Sequence, residues 1–218
     1  KTKIFSETSN ANQNIETLYT SNLENAKKFF KDKIKSLSEE DLERLFKKIT
    51  TQLKFNVYEI EKDFDVYVAF ETMNNRGKAL SKLELLKNRL IYLSTLLEAD
   101  QNEKNSLRKN INECWKTIYE YLGKNKNNPL KDDEFLKNHW VSYFKYSRRT
   151  GNDYADFLLN ECFTTKAISF GDLKIKDIQD YVNHLQESVK KWFILFNPDF
   201  SDIDDSIKKW LNNLNHLG

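Results

Sequence analysis

The backbone of this chain is given very few places to bend: 5 glycines and 2 prolines are spread over 218 residues. A β-rich fold needs turn residues every few positions, so the scarcity favours long helices joined by short polar breaks. The 31% of charged residues suit the solvated faces of such helices, and 13% aromatics, with 10 Tyr and 15 Phe, supply large packing units. The length allows one substantial domain or two small ones. Basic and acidic side chains nearly cancel, 35 against 33, for a net charge of +2. Any affinity for nucleic acid must therefore come from local patches and not from a whole-molecule field.

The apolar spacing supports this picture. Residues 17–37 carry Phe29, Phe30 and Ile34 among alternating charges. Ser38 and Asp41 resemble a capping box, and Leu42, Leu45, Phe46 and Ile49 follow at helical spacing. The clearest helix start is at Ser81. It is followed by Glu84 three residues later and flanked by Leu80 and Leu85 as a hydrophobic staple. From there Leu83, Leu86, Leu90, Leu93 and Leu97 line one face. Further helices are expected near 102–122, 132–148, 152–163, 176–196 and 204–217.

One segment breaks the pattern. In "LKFNVYEI", Leu53, Phe55 and Val57 alternate with Lys54 and Asn56, which predicts a strand with one buried face over 53–60. A short helix is expected from Asp63, with Val66, Phe70 and Met73 on one side. A lone strand needs partners for its backbone groups. "KIF" near the start and "AISF" near Phe170 are weak candidates, and otherwise the partners lie outside the chain. A start at Lys1 rather than Met agrees with the expectation of a piece from a longer protein.

Asn74, Asn75, Arg76, Gly77 and Lys78 immediately precede the Ser81 helix. A helix N-terminus offers unpaired N–H groups and partial positive charge. Arg76 would add a planar donor fork and Lys78 a mobile point charge. Gly77 would permit positive φ and close backbone approach. Lys87 and Asn88, on the helix's narrower polar side, could join a phosphate or carboxylate site. The same residues also read as an ordinary left-handed helix stop, with Glu84 and Lys87 as an i, i+3 pair. The residues alone leave both meanings open. Arg89, flanked by Leu85, Leu93 and Leu96, is expected to snorkel or to meet a buried acid.

The stretch from Leu53 to Leu93 resembles the second signature block of the N-terminal, ParB/sulfiredoxin-like domain of GmrSD-type modification-dependent restriction endonucleases. That block reads Phe-Glu-x-x-Asn-x-Arg-Gly-x-x-Leu-(Ser/Thr)-x-x-(Asp/Glu)-Leu-Leu-Lys-Asn. It is matched in register by Phe70, Glu71, Asn74, Arg76, Gly77, Leu80, Ser81, Glu84, Leu85, Leu86, Lys87 and Asn88. Residues 132–144, "DDEFLKNHWVSYF", are similar to the aromatic-rich helix that follows the block in that family. The resemblance implies a bacterial, cytoplasmic, nucleotide-dependent defence protein acting on foreign or modified DNA. It implies a nucleoside triphosphate with magnesium in the longer parent, and no cofactor held by this chain alone. The family's first signature, Asp-Gly-Gln-Gln-Arg, is absent from this sequence, as is a His-Asn-His nuclease constellation. The chain is therefore expected to be the downstream part of the N-terminal domain, inactive by itself. The missing upstream segment and a nuclease domain would be its partners. On this reading Asn74, Arg76, Gly77, Lys78, Lys87 and Asn88 contribute part of a nucleotide or phosphate site.

Lys145, Arg148 and Arg149, interleaved with Tyr143, Phe144 and Tyr146, form the densest basic–aromatic cluster and a candidate DNA contact. The plainer reading places these aromatics in the core and the basic residues at a helix C-terminus. Trp115, Trp140, Trp192 and Trp210 read as core or interhelix anchors. Cys114 and Cys162 have no metal spacing and read as buried thiols; no metal site is expected. The run at Glu39–Asp41 and that at Asp202–Asp205 sit at helix starts, where carboxylates favour the dipole. No apolar run reaches membrane-spanning length. The expected fold is mainly α, a helical bundle with one short strand or a small sheet remnant. Residues 1–98 would be the C-terminal part of a truncated α/β ParB-like domain, and 99–218 a helical extension. The competing reading is a non-enzymatic helical module that docks protein or DNA through 132–149. Oligomerisation is left open.

Overall fold

The computed structural model describes residues 17–54, 80–144 and 153–217, and within these all regular structure is helical. The chain divides into two units, Lys1–Phe64 and Asp65–Gly218.

The first unit contains α1 (Leu18–Lys35) and α2 (Glu39–Thr51). Thr17 caps α1, and Ser38 caps α2 by accepting from the Asp41 N–H, as the sequence led one to expect. Neither helix has a buried residue. The stripe from Leu42 to Ile49 is formed, but it faces outward; Phe46 is 67% exposed and Phe30 63%. Helical period determined which residues share a face, but a stripe is buried only where another element covers it. Of the expected strand, Leu53 and Lys54 lie outside any strand; its remainder and the expected helix from Asp63 fall outside the described residues.

The second unit is built on α3 (Lys82–Leu96), α4 (Gln101–Leu122) and α8 (Ile175–Phe196). Leu83, Leu86, Leu90, Leu93 and Leu97 are all buried, so the predicted leucine face of α3 is the face that packs. It meets Leu107, Ile111, Trp115 and Ile118 of α4, which in turn meet Ile178, Val182, Leu185 and Val189 of α8 in one continuous core. The indole N–H of Trp115 donates to the Leu83 carbonyl at 3.2 Å, fixing the first turn of α3 on α4. Beside these lies α5 (Asp132–Tyr143), with Phe135, Leu136, His139 and Trp140 buried. Next come α6 (Tyr154–Asp156), running straight into a π-helical turn, Phe157–Cys162, and the short α7 (Thr165–Ser169). A 3₁₀ turn, Pro198–Phe200, and α9 (Asp205–Asn215) complete the unit.

Two expectations fail here. Ala167, Ile168 and Ser169 of "AISF" are helical, because Thr164 accepts from the Ala167 N–H and caps α7; they offer nothing for a strand to pair with. Trp210 is 63% exposed, on an outward stripe of α9 with Ile207 and Leu214, and is not a core residue. Trp115 and Trp140 are buried as expected. The one described glycine with positive φ is Gly171, at +76°. It ends α7 while the Asp172 N–H reaches back to the Ala167 carbonyl at 2.9 Å, the wrap-around bond of a left-handed helix stop.

Candidate functional site

Of the twelve residues that match the signature block, seven lie among the described residues: Leu80, Ser81, Glu84, Leu85, Leu86, Lys87 and Asn88. All but Leu80 and the cap Ser81 belong to α3. The predicted capping box is real and reciprocal. Ser81 Oγ accepts from the Glu84 N–H, and a Glu84 carboxylate oxygen accepts from the Ser81 N–H, both at 3.3 Å. Asn74, Arg76, Gly77 and Lys78, like Lys145, Arg148 and Arg149, lie outside the described residues.

The N-terminus of α3 already carries an anion. Asp133, from the first turn of α5, accepts the Leu83 N–H at 3.2 Å, 50 residues away in sequence. Its carboxylate also interacts with the Lys82 N–H. With the Glu84 N–H held by Ser81, the first-turn amides are spoken for. A carboxylate of the chain thus occupies this helix start, for the same dipole reason that draws a phosphate to such a position.

The surroundings are acidic. Burial pushes the Asp133 carboxyl above its ordinary pKa, the Leu83 N–H opposes that, and the neighbouring Asp132 adds to it. The phenol of Tyr154 is pushed up to about 12, first by burial and then by Asp133, Asp132 and Asp153. A phosphate arriving here would meet carboxylates, so its countercharge has to come from cationic side chains. Among the described residues no group of three or more His, Cys, Asp or Glu is placed to hold a metal ion.

Lys87 and Asn88 are both half-buried, and ideal helical geometry turns them about 100° apart. Burial pushes the Cys114 thiol up to about 12, and the Lys87 ammonium acts in the opposite direction. That interaction puts Lys87 at the border with α4. Cys114 and Cys162 are both free thiols.

Arg89 is half-buried and reaches the end of the π-turn. Its Nη1 donates to the carbonyls of Leu159 at 3.0 Å and Phe163 at 3.2 Å. A π-turn shifts the backbone ladder by one residue and leaves carbonyls exposed at its end; a guanidinium is suited to satisfy two at once. The two partners are 70 and 74 residues from Arg89, so no local pattern announces the contact.

The aromatics of the expected DNA-contact cluster that are described point inward. Tyr143 stacks on His139 with ring centroids 5.5 Å apart, and Phe144 meets Phe157 edge-on at 4.9 Å. His139 is 3% exposed, and its Nε2 lies 3.0 Å from Nδ1 of His184 on α8. Burial, followed by the influence of His184, lowers its pKa to about 3, so it is a neutral structural ring at physiological pH. Nothing in the sequence marked this pair, which is 45 residues apart.

No protein-family model, curated protein or solved structure matches the chain. Among the described residues no helix is long and apolar enough to cross a membrane.

Proposed function

We propose that the chain is part of a nucleotide-dependent, restriction-type defence protein of the GmrSD kind, and that it contributes cationic side chains to a nucleotide or phosphate site. The observation that carries this reading is the behaviour of the signature residues in α3. Ser81 and Glu84 close the start of the helix reciprocally, Leu86 is buried, and Lys87 and Asn88 stay half-exposed. Lys87 and Asn88 follow the buried Leu86 on the polar side of α3, where they stay within reach of a ligand. Asn-x-Arg-Gly leads directly into that helix, with Arg76 and Lys78 supplying the charge that the α3 amides, engaged by Asp133, do not. Foreign or modified DNA, a nuclease domain and an upstream segment are the partners of the whole protein, in the bacterial cytoplasm. A nucleoside triphosphate with magnesium is its cofactor.

The test is restriction of phage and nucleotide hydrolysis by the full protein carrying Arg76→Ala. Loss of both, with thermal unfolding unchanged, is the expected result; wild-type levels of both would refute the assignment.

A second reading, a helical interaction module, is favoured by the apolar stripes of α1 and α2, neither of which has a buried residue. In α5, Phe135 and Trp140 are buried, so these two rings are not part of such a docking surface. If it holds, Phe30→Asp with Phe46→Asp abolishes binding of an environment-sensitive apolar dye without altering the unfolding of the second unit. Unchanged dye binding would count against it.

A further inference from the structure

Where the end of α5, the π-turn, α7 and the start of α8 meet, there is a cavity of about 340 Å³. This is the size range of small-ligand sites. Tyr143 and Tyr181 cross at 87° with centroids 5.1 Å apart, and Phe144 stands against Tyr143 at 73° and 4.9 Å. All three rings line the space. Glu161, Asp172 and Asp177 also line it, and none of the described lining residues is basic. Asp177 is partly engaged, since it accepts the Lys174 N–H at 2.8 Å; Glu161 and Asp172 are exposed.

A second observation points to a ligand. Tyr181 is 1% exposed, lines the cavity, and its hydroxyl has no hydrogen-bond partner among the described residues. A buried hydroxyl left unpaired costs free energy that a ligand donor or acceptor would recover. The carboxylates among the described lining residues make this wall of the cavity acidic. Burial pushes the Cys162 thiol up to about 11, with Asp177 and Glu161 adding to it. Burial also raises the Tyr143 phenol, with Asp180, Cys162 and Asp177 contributing. The larger cavity beside Leu97 and Gly171, about 580 Å³, is lined by both Glu98 and Lys174, so its wall carries both signs of charge.

We infer that this cavity binds an alkylammonium ion, as in an aliphatic diamine or a lysine side chain. The rings of Tyr143, Phe144 and Tyr181 would take the methylene stem and the cation's face, Glu161 and Asp172 would supply countercharge, and Tyr181 Oη would accept one ammonium N–H. Aromatic faces attract cations through their quadrupoles, and carboxylates at the mouth concentrate them. The inference does not depend on the Asn74–Lys78 loop.

The experiment is a titration of the ¹⁵N-labelled chain with 1,4-diaminobutane, with a Gly-Lys-Gly peptide, and with 1,4-butanediol as the uncharged control. The expected result is saturable shifts of the Cys162, Phe163 and Tyr181 amides by the diamine, none by the diol, and at least tenfold weaker binding in Glu161→Gln/Asp172→Asn. The variant alters only exposed carboxylates, so its spectrum should keep the wild-type dispersion. Tighter binding of the peptide than of the diamine would identify a protein side chain as the source, and the reverse a free amine. Equal shifts by the diol, undiminished binding to the double variant, or no shift at about 10 mM diamine would each overturn the inference.

Discussion

His139 is buried and neutral, and this gives the fold a specific acid sensitivity. The unfolded chain protonates this ring near pH 6.5, whereas in the folded state its pKa is lowered to about 3, chiefly by burial. Because the folded-state pKa of this base is depressed, the unfolded state binds the extra proton between those values. The stabilisation is complete above about pH 6.5 and is lost as pH falls toward 3. Between pH 7.5 and pH 5.0 the loss amounts to about 2 kcal/mol. Asp133 acts with the opposite sign: its raised carboxyl pKa makes its contribution larger in acid and smaller as pH rises. The informative quantity is therefore a difference between proteins. His139→Phe keeps a ring against Tyr143, Tyr181 and Phe135, and leaves His184 at an exposed position where water can satisfy it. Urea unfolding at the two pH values should show the wild type losing about 2 kcal/mol more than the variant. Equal losses, within about 0.5 kcal/mol, would show that His139 is not the buried neutral ring described here.

Three further outcomes follow from single contacts. Arg89→Met removes the donors to the Leu159 and Phe163 carbonyls and should cost roughly 3 kcal/mol, with faster amide exchange at the end of the π-turn; unchanged exchange there would contradict it. Asp133→Asn keeps an acceptor for the Leu83 N–H and removes a charge that is unfavourably buried, so thermal unfolding at pH 7 should be unchanged or raised. Asp133→Ala should lose about 1 kcal/mol, and the reverse order of the two variants would disprove the N-terminal role. Gly171→Ala meets no atom within 4 Å, so its cost, about 1 kcal/mol by chemical denaturation, comes from positive φ alone; a stabilised variant would refute that.

How much of this was legible in the sequence depends on distance along the chain. The cap at Ser81, the buried leucines of α3 and the extents of α4 and α8 rest on residues three or four apart, and these were read correctly. Contacts that close over tens of residues were not. Asp133 on the α3 amides, Arg89 on the π-turn and His139 beside His184 pair groups from different helices, and no spacing rule reaches them. The same limit explains Trp210 and the stripe of α2. Period assigns apolar residues to one side of a helix, but their burial depends on a neighbour the period does not describe. "AISF" was misread because a Thr cap acting three residues ahead outweighed a weak β preference.

The nucleotide site is tested most directly by equilibrium titration of the full protein with a fluorescent nucleoside triphosphate, comparing wild type with Arg76→Ala. Charge-assisted contacts from the Arg76 fork predict a dissociation constant weakened by roughly ten- to a hundredfold. An unchanged constant would mean that the positive loop ahead of α3 is a solvated turn and that the phosphate, if one binds, is held elsewhere.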